Sequence, residues 1–300
     1  MIAIRPVWLA ALLLIATAIL PWQTRWLVDL AVIIVLGVPH GALDGEIART
    51  VLQPRVGAWW FLVFALPYMG LFACVLVAWR VAPAATLAGF LAASVWHFGT
   101  EESRSGAWHD RLARGGLPIA LPLLVHPDAT WRVFATVAGL AGPAPGWLMW
   151  GAWVWGGVAV IWVARRGTWA SLRGPAMVAL GFVMLPPLAA FAIYFVCVHA
   201  PAHVAAMIAD ARAPRVTDRA RAVWLALPIT ALTVVIGAGL WPLFGGPPAV
   251  RLLALTVQGL AALTLPHMVL DEVTKGRPAF LKKSSKKLLS FTVRPSLPAR

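Results

Sequence analysis

Long uncharged runs, such as Trp59 to Trp79, Ala176 to Val198 and Leu252 to Leu265, limit more than any other feature what this chain can fold into. A hydrocarbon layer about 30 Å thick is crossed by roughly 20 apolar helical residues, because backbone groups find no water there and must pair within the segment. Several runs reach that length. Charged residues are 12% of the 300, against roughly 25% for a soluble domain, so an ordinary water-facing surface cannot be assembled from them. The expected fold is an all-α integral membrane protein, a polytopic bundle of about eight transmembrane helices within a range of seven to ten.

The hydropathy pattern predicts spans at about 6–22, 26–40, 58–79, 83–98, 147–164, 175–200, 222–241 and 249–270. Residues 1–20 imitate a secretory signal, with Arg5 before an apolar stretch from Val7 to Leu20 and small residues around Ala16. Because further spans come at once after them, they read as an uncleaved first helix. The segment 115–141 is cut by Pro118, Pro122, Pro127 and Asp128 into two apolar pieces of about 13 residues, too short for full crossings, which predicts a re-entrant hairpin. Residues 1–272 are expected to form a single transmembrane helical domain carrying a histidine-rich metal site. Residues 273–300 are expected to be a basic, disordered cytoplasmic tail, its Lys282, Lys283, Lys286 and Lys287 lying on anionic headgroups.

The formal net charge of +14 sits in short connections and in the tail, not on a stripe with interleaved aromatics, so no nucleic-acid partner is expected. With the hairpin on one side and both termini cytoplasmic, the inside segments hold 19 of the 25 Lys and Arg residues. Arg25, Arg80, Arg165, Arg166, Arg173 and Arg251 fall outside, a bias that favours this orientation. Cys74 and Cys197 lie far apart inside apolar runs and read as small core residues, not as a disulfide.

The chemistry is concentrated in the seven histidines. His109 and His126 occupy polar or proline-broken connections. His40, His97, His199, His203 and His267 each end an apolar span, and this topology carries all five to one membrane face. A single histidine there usually hydrogen-bonds a neighbouring helix. Five together mark a site, because polar groups at that depth are costly. His199 and His203 share a helix face at i, i+4, and Pro201 between them is expected to bend or open the turn.

Imidazoles ligate zinc, copper and iron. Asp44, Glu101, Glu102 and Asp271 come four or five residues after the histidine segments and suit accepting a proton from the ring nitrogen that faces away from a metal. The segments Pro39-His40 with Leu43-Asp44 and Pro266-His267 with Leu270-Asp271 echo one another. Aromatics within spans, Trp96, Phe98, Trp153, Trp155, Phe191 and Phe195, are candidate walls for a long apolar ligand. These residues alone leave four readings open: a metal oxygenase, a histidine-rich di-iron lipid desaturase or hydroxylase, a bis-histidine haem carrier, and a proton-relaying transporter. Iron stoichiometry, a Soret band or metal-independent flux would separate them.

Gly37-Val38-Pro39-His40-Gly41-Ala42-Leu43-Asp44, Trp96-His97-Phe98-Gly99-Thr100-Glu101-Glu102, Tyr194-Phe195 with His199 and His203 after it, and Leu265-Pro266-His267 together resemble the successive motifs of the bacteriorhodopsin-related-protein-like (Brp/Blh) family. Members of that family are bacterial membrane beta-carotene 15,15'-dioxygenases, and the likeness runs in order from about residue 37 to 270. The resemblance implies an Fe(2+) enzyme of the bacterial inner membrane, multi-pass with both termini cytoplasmic. It would split the central double bond of beta-carotene with O2 to give retinal. Carried over by position, it makes His40, His97, His199 and His203 the iron ligands and leaves His267 outside that set. Trp96, Phe98, Phe191, Tyr194 and Phe195 become candidate walls of the substrate pocket. The implied partners are a lipid-soluble carotenoid, O2, membrane lipids and a retinal-binding acceptor protein. Two positions depart from the pattern: Ala202 stands where a basic residue is expected and Glu102 where Asp is.

Overall fold

The computed structural model describes Leu12, Ile15, Ala16 and residues 19–103, 105–166 and 169–275, without the side chains of His40, Arg166, Trp169, Ala170 and Lys275. Most of the expected first helix and the tail from residue 276 lie outside these. All regular structure among the described residues is helical. We number α1 (Trp22–Val32), α2 (Asp44–Val56), α3 (Trp60–Val81), α4 (Pro83–Glu102), α5 (Trp108–Val125), α6 (Pro127–Ala138), α7 (Gly146–Arg166), α8 (Trp169–Met184), α9 (Pro187–Tyr194), α10 (Ala200–Ala209), α11 (Arg219–Leu240) and α12 (Pro248–Lys275). A π-helical turn at Ile33–Gly37 and a 3-10 segment at Val38–Leu43 join α1 to α2, and a second π-helical turn, Phe195–His199, joins α9 to α10.

Five helical stretches among the described residues are long and apolar enough to cross a membrane: Trp22–Val81, Gly146–Arg165, Pro187–Ala209, Arg219–Leu243 and Pro248–Thr274. The expected number was eight. The first of the five merges two expected spans, and α4, expected as another, is not among them. The outward surface matches an apolar surround, since Leu66, Trp150, Val160, Met184 and Trp224 are each 69–73% exposed. A monomer in water does not spread large side chains over its outside in this way. Cys74 belongs to that surface and not to the core, while Cys197 is half-buried; neither is in a disulfide.

Helix α5 sits at the centre. Its Ala113, Gly115 to Ala120, Pro122 and Leu123 are all buried, and the main core gathers around it from Leu30, Leu87, Leu91, Phe182 and Leu253. The proline-based expectation of two 13-residue pieces fails here. Pro118 and Pro122 lie inside one continuous 18-residue helix. Each removes one intrahelical hydrogen bond, but packing on every side of α5 holds the backbone helical where propensity alone would not. The break falls at His126, where Pro127 opens α6. The Thr130 hydroxyl straps this hinge, lying 2.8 Å from the carbonyls of Pro122 and His126.

Glycine sets how closely α4 and α5 cross. A Cβ on Gly115 would lie 2.6 Å from the Gly99 nitrogen, and one on Gly99 would lie 2.8 Å from the Arg111 carbonyl carbon. The two backbones therefore touch, as small residues permit in helix pairs of this kind. At the start of α5 the fully buried Asp110 is tied down by Ser103 and Ser105 hydroxyls at 2.9 Å each, Arg114 Nε at 3.1 Å and Trp162 Nε1 at 2.8 Å. That satisfies a buried charge with several donors and fixes the loop after α4.

Candidate metal centre

Four histidine side chains converge where α4, α10 and α12 meet. His97 and Glu101 lie one turn apart near the end of α4. His199 ends the π-helical turn, His203 comes one turn later on α10, and His267 belongs to the C-terminal half of α12. The ring centroids are 5.5 Å apart for His97 and His199, 5.2 Å for His97 and His267, and 5.5 Å for His203 and His267. The Glu101 carboxylate stands among them: His203 Nδ1 is 3.0 Å from Oε1, His199 Nε2 is 3.6 Å from Oε2, His267 Nε2 is 3.7 Å from Oε1, and His97 Nε2 is 3.9 Å from Oε1.

Local structure explains how the rings are aimed. The irregularity expected from Pro201 lies just before it: Phe195–His199 is π-helical, and Pro201 sits in the first turn of the regular helix α10. A π turn inserts one extra residue and rotates the helix beyond it, a device common at functional sites. It turns His199 inward until only 2% is exposed. Phe195 stacks on its ring at 14° and 5.5 Å, and Phe98 meets it edge-on at 4.8 Å. The imidazole has little room to rotate.

His267 carries the most specific chemistry. Its Nδ1 lies 2.7 Å from Asp44 Oδ1, and the Tyr68 hydroxyl donates to Asp44 Oδ2 at 3.1 Å. A carboxylate only accepts, so Nδ1 is the donor, and the neutral ring then presents a bare lone pair at Nε2. That lone pair faces Glu101 Oε1, another acceptor, across 3.7 Å. In its neutral form the ring can share a cation with Glu101; in its protonated form Nε2–H points at that carboxylate instead. Donor atoms of His97, Glu101 and His267 all lie within 4.8 Å of one another, close to the about 3–4 Å between neighbouring donors that share one ion at ~2.1 Å each. The residues present fit a bound first-row metal. A carboxylate behind a metal-facing histidine is also the usual way of fixing its tautomer. Asp44→Asn is accordingly expected to weaken metal binding about 10- to 100-fold, with Tyr68→Phe weaker still in effect; a metal titration that finds Asp44→Asn at wild-type affinity would remove Asp44 from this role.

The remaining expected residues separate clearly. Glu102 accepts from the Tyr194 hydroxyl and Asp271 is held by Arg212 at 3.1 Å, so neither faces a histidine of the cluster through these bonds. The backbone at His40 belongs to the 3-10 segment, and its side chain is not among those described. His126 Nε2 pairs with the Val183 carbonyl at 3.0 Å, remote from the cluster in the fold. Ala202 is exposed.

A cavity of about 490 Å³ opens beneath the histidines, with Asp44, Tyr68, His97 and His267 at one end and almost wholly apolar walls. Phe98, Phe191 and Phe195 line it. Tyr194 stands behind Phe98, their rings 5.5 Å apart. Trp96 is 54% exposed and lies under the Arg111 guanidinium, outside the cavity, as do Trp153 and Trp155. Sequence reasoning missed Tyr68, one of only two tyrosines in the chain, although a lone hydroxyl in an apolar run was a usable signal.

Fold and site together define a protein whose described residues are all-helical, with helices long and apolar enough to cross a membrane and a histidine–carboxylate cluster at the head of an apolar cavity. The chain belongs to the beta-carotene 15,15'-dioxygenase family, whose model matches residues 31–275. It is 27% identical over 262 residues to a beta-carotene 15,15'-dioxygenase of uncultured marine bacterium 66A03, covering 80% of this chain and 90% of that one. It is 28% identical over 300 residues to a probable beta-carotene 15,15'-dioxygenase, Blh, of Halobacterium salinarum, covering 87% of each. No solved structure matches the chain.

Proposed function

We propose that this protein is an iron-dependent enzyme of the bacterial inner membrane that cleaves the 15,15' double bond of beta-carotene with O2, giving two molecules of retinal. The carrying observation is the convergence of four imidazoles and Glu101, of which His97 and His267 line an apolar cavity. The family membership and the names of the two relatives support the substrate class.

The reaction balances without an external reductant: one carbon–carbon double bond breaks, and each carbon takes one oxygen atom of O2 as an aldehyde. Bound iron would supply the one-electron and O2 chemistry that no side chain offers. His97, His199 and His203, with His267 in the place that geometry favours, would hold it, and His40 and Glu101 are further candidates. Asp44 orients His267; Phe98 and Phe195 limit the swing of His199. The apolar walls exclude water and hold the polyene in one attitude, so that positioning provides much of the rate. Both termini are proposed to be cytoplasmic, with a retinal-binding protein as acceptor of the product.

The test is expression in a bacterium that accumulates beta-carotene, then assay of the purified protein with defined iron. Bleaching with two retinals formed per beta-carotene lost, abolished by chelation and restored by Fe(2+), is the expected result. An iron-loaded, folded protein that leaves the carotene intact would refute the activity. Two irons per chain instead of one would favour the di-iron desaturase reading.

A further inference from the structure

The cavity runs along the bundle, not across it. On α4, Leu87, Leu91, Ser94 and His97 recur on one helix face and all line it. On α12, Leu252, Thr256, Leu263 and His267 do the same. At 1.5 Å per residue, Leu87 lies about 15 Å below His97 and Leu252 about 22 Å below His267. That depth is the scale of one half of an extended beta-carotene, measured from its central double bond to its ring.

The connection between α11 and α12 lies at the end remote from the histidines. Trp241 lines the cavity there. The Arg251 guanidinium lies over its ring at 5.0 Å. Two residues on, the Leu243 carbonyl accepts from Arg80 Nη2 at 2.6 Å, and the same guanidinium lies 5.1 Å from the buried Phe244 ring. Arginines from the end of α3 and the start of α12 thus pin both sides of a short turn. The attraction of a cation for an indole face favours one position of the Trp241 ring, and a wall at a set depth is what a ruler requires.

We propose that Trp241 is the floor of the substrate cavity and determines which double bond of the polyene meets the metal centre. The proposal rests on the carotenoid-cleaving activity proposed for this site and adds the element that sets its position. With one ring seated against Trp241, the half-length of the substrate brings the central bond level with the histidines. Removing the floor lets the polyene slide inward and offers an off-centre bond.

Trp241→Ala is therefore expected to lower the ratio of retinal to longer and shorter apocarotenals by at least about tenfold, the scale on which a changed apolar pocket discriminates substrates. Iron content should stay at the wild-type value, because Trp241 is far from every proposed ligand. Leu252→Trp, which fills the same end from α12, should act in the opposite sense and lower kcat/KM for beta-carotene at least about tenfold while a shorter apocarotenal still reacts. If Trp241→Ala does not accumulate, this second variant decides. Retinal as the sole product at unchanged kcat/KM, with altered thermal stability alone, would overturn the proposal and leave Trp241 as an interfacial anchor. A wild-type protein without any cleavage product removes the underlying activity instead, and this inference with it.

Discussion

Alanine at His97, His199 or His267 is expected to strip the proposed iron from the purified protein and to abolish the proposed retinal formation. Each imidazole places a nitrogen 3.6–3.9 Å from the same Glu101 carboxylate, so each removal deletes one donor from a single centre. Losing an outer hydrogen-bond partner costs metal affinity about 10- to 100-fold; losing a ligand should exceed that range. Metal analysis after desalting measures it directly. His267 separates two ligand sets. The family resemblance points to His40, His97, His199 and His203, whereas His267, its Nδ1 held by Asp44, turns Nε2 toward Glu101 in the cluster. Wild-type iron in His267→Ala, together with loss of iron in His40→Ala, would return His267 to a supporting role. Iron retained in all of these variants would sink the metal centre itself.

The difference between those sets shows what a sequence can carry. The apolar runs and the i, i+4 pair of His199 and His203 are local patterns, and both survive in the fold. The bond between His267 and Asp44 joins residues 223 positions apart. No local pattern encodes that distance. The echo of Pro-His with a later Leu-Asp in both segments was its only trace, and it pointed each Asp to its own segment, not across. The π turns at Ile33–Gly37 and Phe195–His199 were illegible for another reason. An extra residue in a turn is stabilised by the side chains packed against it, and the ring of Phe195 fits only because Gly37 opposite has no side chain. Trp96 shows the limit of adjacency. It neighbours His97, but successive helical residues point about 100° apart, so one faces the cavity and the other the outside. Pro118 and Pro122 misled in the same way, since their cost is real but is offset by packing around α5 that propensity does not include.

The same packing makes Gly115→Val the most damaging change expected outside the metal centre. Its Cβ would enter the backbone of α4 at Gly99, 2.6 Å from the nitrogen, where no side chain can swing aside. Helices α4 and α5 must separate, and overpacking costs about 1–3 kcal/mol, more where backbone has to move. The damage reaches the site because His97 and Glu101 lie within two residues of Gly99 on α4. Loss of folded protein, or a fall in thermal midpoint of several degrees accompanied by iron loss, is expected in mild detergent. Gly89→Ala is the matched control: it lies on the same helix, its Cβ would meet nothing within 4 Å, and replacing a helical glycine with Ala stabilises by about 0.5–1 kcal/mol. If Gly115→Val melts with the control and keeps its iron, the two helices do not touch backbone to backbone, and the placement of His97 and Glu101 has to be drawn from some other contact.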